Sequence, residues 1–283
     1  MRLLRNLGLG LLGLVMFLEL VWLQLPGDRL SRSLENRLAP RLGGVQLELG
    51  QLETGVFGGT WGELRLTQGG QELLAMEEVS FSLAPWHLVR GGVNLEGNLW
   101  GGDLSAFVTL VGRPGLRLRG EGLSPARQRQ LAQSGLVAGR AGLNLHADVT
   151  LVQDQLQGQV NLEGQDWTLT PTAQATGLFF DLPPFHLDQF QFQANLGEGA
   201  MDLDLATTGD LALSLKGQVQ AAGWEQLLQR EGTLNLVFQA DPSPDLRARL
   251  GDLSLLLQGL QGPEGRLSGR IKGNMSFPQV EKL

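Results

Sequence analysis

Cysteine and tyrosine are missing from the 283 residues, and lysine occurs only three times. Without cysteine there is no disulfide framework, no thiolate nucleophile and no thiolate metal site. Basic residues are outnumbered, 22 against 29 acidic ones, for a formal net charge of −7. That balance argues against a nucleic-acid partner, which needs a basic face to neutralise phosphates. Histidine is scarce as well. His87, His146 and His186 lie far apart, and none stands in H-E-x-x-H or H-x-H spacing, so a metal site would require the fold to gather them. There is no G-x-S-x-G elbow and no P-loop, which removes the commonest serine-hydrolase and nucleotide signatures. What remains is plentiful glycine, 40 residues, and a hydrophobic content of 42%, ample for a core. The length allows one large all-β domain or two smaller ones.

A single long apolar run is present, Leu7 to Leu25, broken by Glu19 and Gln24. As a helix it would measure roughly 28 Å, close to the hydrocarbon thickness of a bilayer. Arg2 and Arg5 precede it, Pro26 and Gly27 end it, and no A-x-A cleavage site follows. It therefore reads as an uncleaved transmembrane anchor with a cytoplasmic start, spanning 1–27, rather than a signal peptide. Arg29, Arg32, Arg37 and Arg41 on the far side pull against that orientation. Glu19 needs a partner helix or an interfacial position, and Trp22 lies three residues on. The same run contains Gly8, Gly10 and Gly13 in G-x-G-x-x-G spacing. No strand precedes them and the surroundings are apolar, so no dinucleotide site is expected there.

Residues 28–43 read as a short amphipathic connector, with Leu34 and Leu38 four apart. From 44 to 283 the dominant signal is alternation. Val45, Leu47 and Leu49 alternate with polar residues, as do Leu143, Leu145, Ala147, Val149 and Leu151, Leu203 and Leu205, Leu211 to Leu215, and Leu234 to Phe238. Period 2 marks strands with one buried and one wet face. Glycines such as Gly69-Gly70, Gly139, Gly158, Gly197, Gly209 and Gly232 punctuate the runs, which suggests successive hairpins. Helical signals are short: Ser124-Pro125 leading into Ala126 to Ser134, and Trp224 to Arg230. Asp241 to Pro244 reads as a kink or loop. The expected fold is thus mainly β: one long, curved, mostly antiparallel sheet after the anchor, with few helices and a second face that is either solvated or used.

Other candidate chemistry is weak. Asp202 and Asp204 share one strand face and could mimic a carboxylate pair, but alternating acids on a solvated strand are the ordinary outcome. Asn274-Met275-Ser276 fits the glycosylation triplet. Trp61, Trp86, Trp100, Trp167 and Trp224 read as turn and core residues. No catalytic residue, metal or cofactor is expected.

Five stretches resemble the type II secretion system protein N family. Val56-Phe57-Gly58-Gly59-Thr60-Trp61-Gly62 is similar to its small-Gly-Thr-x-Trp-x-Gly signature, although Glu63 stands where the family more often has a second small residue. Ser82-Leu83-Ala84-Pro85-Trp86-His87-Leu88-Val89-Arg90-Gly91 resembles the Ser-Leu-x-Pro-x-x-Leu-Leu-x-Gly turn found there and in AsmA-like proteins, and Gly101-Gly102-Asp103-Leu104 fits the element that follows. Leu182-Pro183-Pro184-Phe185 with Leu187, Phe190 and Phe192 resembles a Leu-Pro lead-in strand, and Leu267 to Gly273 with Phe277-Pro278 a closing one. The motif positions are Gly59, Thr60, Trp61, Ser82, Pro85, Trp86, Leu88, Gly91, Gly101, Gly102, Pro183 and Pro184. The resemblance implies a single-pass bacterial inner-membrane protein with most of its chain in the periplasm. It implies membrane lipid and other inner-membrane secretion components as partners, and no catalytic residues. The AsmA-like relation implies an apolar sheet groove able to hold lipid, so a lipid-binding or lipid-transfer role is the alternative.

Overall fold

The computed structural model describes residues 27–38, 45–55, 57–82, 91–109, 111–127, 137–138, 141–152, 155–172, 181–197, 199–221, 232–251, 261 and 266–282. The apolar run at 7–25, the segment Pro85 to Leu88 and the helical stretch from Trp224 lie outside them. Among the described residues no helix is long and apolar enough to cross a membrane.

Alternation produces the strands it predicts. In chain order they are β1 (Val45–Leu49), β2 (Leu52–Gly55), β3 (Gly58–Gln68), β4 (Gln71–Ser82), β5 (Gly92–Leu99), β6 (Gly102–Thr109), β7 (Gly115–Leu123), β8 (Val137–Ala138), β9 (Gly142–Val152), β10 (Gln155–Leu169), β11 (Phe185–Gly197), β12 (Ala200–Gly209), β13 (Leu211–Gln220), β14 (Thr233–Pro242), β15 (Leu267–Asn274) and β16 (Phe277–Lys282). Among the described residues helix is confined to α1 (Gly27–Leu38), α2 (Pro244–Leu250) and a 3-10 turn at Pro125–Arg127. The strands belong to one sheet. The chain divides into two compact units: residues up to Leu99 with Ser105–Val111, and Trp100–Leu104 with Gly112 onward.

In the first unit the order is β1-β3-β4-β5-β6, with β2 pairing the start of β3. Glu78 takes a positive φ of 51°, and the register shifts there between β4 and β5. The extra residue keeps Met76 and Val79 on one side, since a Cβ at Gly97 would meet both. Leu52, Trp61, Met76, Val79, Leu99 and Ala106 are the buried apolar side chains among this unit's described residues.

In the second unit the order is β7-β9-β10-β11-β12-β13-β14-β15-β16, each neighbour pair antiparallel, with β8 against β10. Register here is unusually consistent. One cross-strand row reads Leu118, Ala147, Val160, Ala194, Leu203, Gly217, Leu236, Ile271, Val280. The row beside it reads Gly120, Leu145, Leu162, Phe192, Leu205, Leu215, Phe238, Gly269, ending at Lys282. The intervening residues form rows such as Arg117, Asp148, Gln159, Asn195, Asp202, Gln218, Asn235, Lys272, Gln279. Because side chains alternate with period 2, matched register turns each strand's weak pattern into two continuous faces, one apolar and one polar.

Candidate functional site: two clasps and an apolar sheet face

The first motif stretch builds a clasp between helix and sheet. Trp61 on β3 is 7% exposed and stacks on Phe81 of β4, with ring centroids 4.5 Å apart. Its indole N–H donates to Ser31 Oγ of α1 at 3.1 Å, and Ser31 is itself buried. One turn on, Glu35 Oε1 accepts the Leu49 N–H of β1 at 2.7 Å. Gly27, Ser31 and Glu35 stand four apart and form one helical row, so this row meets the sheet. A Cβ on Gly27 would collide with the Leu52 carbonyl. Leu34, one of the two leucines four apart in the expected amphipathic stretch, lies three residues from Ser31 at the edge of this row and is 38% exposed.

Gly59 pairs with Phe81, and a Cβ there would meet the Phe81 ring, Leu52 and the Glu53 carbonyl. Thr60 lies in the row Glu53, Thr60, Ser80, Glu96, and Ser82 in the next. These residues line a shallow cavity of about 360 Å³ with a polar floor. Gly91 has φ 70°, and a Cβ there would strike Val111, whose N–H donates to the Gly91 carbonyl at 3.1 Å. At Gly101, φ 77°, a Cβ would run into the Arg127 guanidinium, and one at Gly102 into the Glu121–Gly122 backbone. The family-like glycines therefore stand where backbones and side chains pass too closely for any other residue. Pro85, Trp86 and Leu88 lie outside the described residues.

The second clasp is in the second unit and was not anticipated. Asp210 follows β12. Its Oδ2 accepts the His186 backbone N–H at 2.9 Å and Arg249 Nη2 at 2.8 Å, and its Oδ1 is 3.4 Å from Ser243 Oγ. These donors hold its carboxyl below the usual carboxylate range, the His186 N–H foremost and Arg249 next. Arg249 also donates to the Pro184 carbonyl, so Pro183-Pro184 is pinned to α2. The stretch Asp241 to Pro244, expected as a kink or loop, is the turn from β14, which ends at Pro242, into that helix. Ser243 caps it, accepting the Leu246 N–H at 3.2 Å, and Pro244 takes the first helical position. The Ser-Pro signal was as legible here as at Ser124-Pro125, where Pro125 begins the 3-10 turn.

The remaining candidates separate. His146 is exposed on the polar face, and His87 is outside the described residues. His186 Nε2 lies 3.4 Å from Asp188 and 4.0 Å from Asp166. Among the described residues no group of three or more His, Asp or Glu could hold a metal ion. Asp204 pairs with Lys216 at 2.7 Å and Asp202 accepts from Gln218 at 3.2 Å, ordinary cross-strand partners. Asn274 Oδ1 accepts the Ser276 N–H at 2.8 Å, closing the β15–β16 turn. Trp167 stacks on Phe190 with centroids 5.7 Å apart, and its N–H donates to the Gly142 carbonyl.

The apolar face of the second unit is the largest feature. Its small residues are buried, among them Ala147, Ala194 and Ala240. Its large ones divide: Val219, Leu236 and Leu267 are buried, whereas Leu145, Val160, Leu162, Phe192, Leu203, Leu205, Leu215, Phe238 and Ile271 are partly exposed. The partly exposed ones keep surface that a second apolar layer would cover.

These features define a mainly β, single-sheet protein with an apolar and a polar face. Compared with known proteins, the chain matches no family model, no curated protein and no solved structure.

Proposed function

We propose that the chain is a non-catalytic component of a type II secretion system, anchored in the bacterial inner membrane by the run at 7–25 with its β-rich body in the periplasm. It supports or assembles the machine through contacts with other inner-membrane components. The observation that carries this reading is the first clasp. The motif residue Trp61 ties the sheet to Ser31, in the helix that starts directly after the apolar run. A scaffold held near a membrane needs such a rigid joint between anchor and body. The chain carrying an affinity tag, purified from native membranes in mild detergent, should bring secretion-system inner-membrane proteins with it. Its deletion should lower secretion of the cargo. Recovery alone, with secretion unchanged, would sink the reading.

A second reading is favoured by one specific observation, the partly exposed apolar face in register across β7 and β9 to β16. Such a face suits acyl chains and supports a lipid-binding or lipid-transfer role of the AsmA-like kind. Mass spectrometry of lipid retained by the purified full chain separates the two readings.

A further inference from the structure

Strand β16 is the outer strand of the second unit's sheet, and among the described residues no strand pairs with its outer side. Every residue from Phe277 to Lys282 is exposed, Val280 at 54%. A bare edge is a row of backbone donors and acceptors open to another strand, and proteins usually blunt it. On β16 the charged side chains that could screen the edge turn back over their own sheet. Glu281 pairs with Lys272 of β15 at 2.8 Å, and Lys282 Nζ donates to the Gln261 carbonyl at 2.7 Å.

Which backbone groups face outward follows from the hairpin. The loop joining β15 to β16 is Met275-Ser276, two residues, so Asn274 and Phe277 are the closing hydrogen-bonded pair. Alternation then turns the backbones of Pro278, Val280 and Lys282 away from β15. Pro278 thus sits where its missing N–H costs the ladder nothing. The outer edge offers the Val280 and Lys282 N–H groups and the Pro278, Val280 and Lys282 carbonyls.

A strand that matches this set is β16 itself, run antiparallel. With Val280 opposite the second copy's Val280, the two valines exchange both of their bonds, and each Lys282 N–H meets a Pro278 carbonyl. Gln279 then lies opposite the second copy's Glu281, an amide beside a carboxylate. Sliding the copies by two residues one way sets Pro278 opposite Val280 and leaves the valine carbonyls without donors. Sliding them the other way sets Glu281 against Glu281, a like-charge pair. Val280 also ends the apolar row that reaches it through Leu236 and Ile271, and this pairing carries the row unbroken into the second copy.

We infer that the outer edge of β16 is a dimer interface, at which two copies of this chain join their sheets antiparallel about a two-fold axis through Val280. The inference rests on neither functional reading above.

The full chain, purified in mild detergent, should sediment as a dimer that dissociates on dilution. Val280→Pro removes the outward N–H without touching a bond to β15. Both bonds between the valines are then lost, and the dissociation constant should rise about thirtyfold or more. Val280→Thr keeps the N–H and should keep the dimer. The chain has no cysteine, so an introduced thiol reports the register. Two Val280→Cys chains would bring their Cα atoms about 5.5 Å apart, within disulfide reach, and should cross-link under mild oxidation. Phe277 is more exposed, at 81%. In this register it stands opposite position 283, so the thiols of two Phe277→Cys chains are roughly 20 Å apart and should not cross-link. A monomeric parent chain overturns the inference and leaves the edge to a strand of another protein. So does a dimer unchanged by Val280→Pro, or equal cross-linking through 277 and 280. Far-ultraviolet circular dichroism checks the fold of Val280→Pro, and the two cysteine variants test the interface without it.

Discussion

Single residues in this protein act mostly by hydrogen-bond geometry or by the lack of a side chain. Asp210 gathers the His186 N–H, Arg249 and Ser243 on one carboxylate, which joins the lead-in to β11 with α2. Charge-assisted bonds are among the stronger ones, but 27% of the Asp210 side chain stays exposed and water screens the pair, so Asp210→Asn should cost about 1 kcal/mol at neutral pH. Its folded-state carboxyl is held below the ordinary value of about 4, by the His186 N–H first and Arg249 next. A lowered folded value means this stabilisation is complete above the unfolded carboxylate range and is lost as pH falls through the folded value. The melting-temperature gap between the parent chain and Asp210→Asn should therefore be widest near neutrality and close in acid below about pH 4. A gap independent of pH would mean that the carboxylate charge plays no part. Glycine works by absence. A Cβ at Gly269 would meet the Phe238 ring, which packs across the neighbouring strand onto that bare backbone. Gly269→Val should displace the ring and cost about 1–3 kcal/mol by urea denaturation. An unchanged midpoint would show that Phe238 packs elsewhere.

At the scale of elements, what the sequence made legible was whatever repeats. Strand existence, strand phase and antiparallel hairpins follow from period-2 leucines and from glycine punctuation, since those patterns are the physical cause of the sheet. His146 exposed and Ala147 buried on β9 is the phase the alternation predicts. The packing of α1 was only partly legible, because Leu34 and Leu38 at helical spacing show an amphipathic stretch but not its partners. The row that docks is Gly27, Ser31 and Glu35, chosen by close approach and by partners 14 to 30 residues away in sequence. The Asp210 clasp escaped for the same reason: its donors come from positions 186, 243 and 249, and no local pattern links them. Division of the chain into two units was also invisible, as alternation runs through both. The joint of α1 can be tested directly. Trp61→Phe keeps a ring to stack on Phe81 but strands the buried Ser31 hydroxyl, which should cost about 1–2 kcal/mol. Ser31→Ala should cost a similar amount, and the double variant clearly less than the sum, as expected for two halves of one bond. Strict additivity in denaturant melts would show that the two do not interact.

For the whole molecule, function depends on what the apolar face of the second unit holds. Each of its strands offers only a few apolar residues, from two on β15 to five on β9, too few to hold a layer alone. In register they make one surface, and Leu145 lies in it between Gly120 and Leu162. One residue on, His146 points to the polar side, between Arg119 and Asn161. A carboxylate at the two positions should therefore have different consequences. His146→Asp should be nearly neutral, within roughly 0.5 kcal/mol, since the site is solvated. Leu145→Asp places a charge among leucines, and its outcome depends on occupancy of the face. If the face is a closed core in the working protein, the charge is uncompensated and costs about 3–5 kcal/mol, so protein level and secretion fall together. If the face is an open groove, the partly exposed Leu145 leaves the carboxylate within reach of water and the fold survives. Bound lipid then falls, because an acyl chain cannot share the trough with a charge. Stability by denaturant melt and retained lipid by mass spectrometry, measured on both variants of the full chain, give a distinct pattern for each case. Loss of stability with lipid absent from the parent chain favours the scaffold. Retained stability with lipid lost favours the lipid-binding protein. Equal tolerance at 145 and 146 in both measurements would mean that neither face has the character its register gives it, and both functional readings would fall with it.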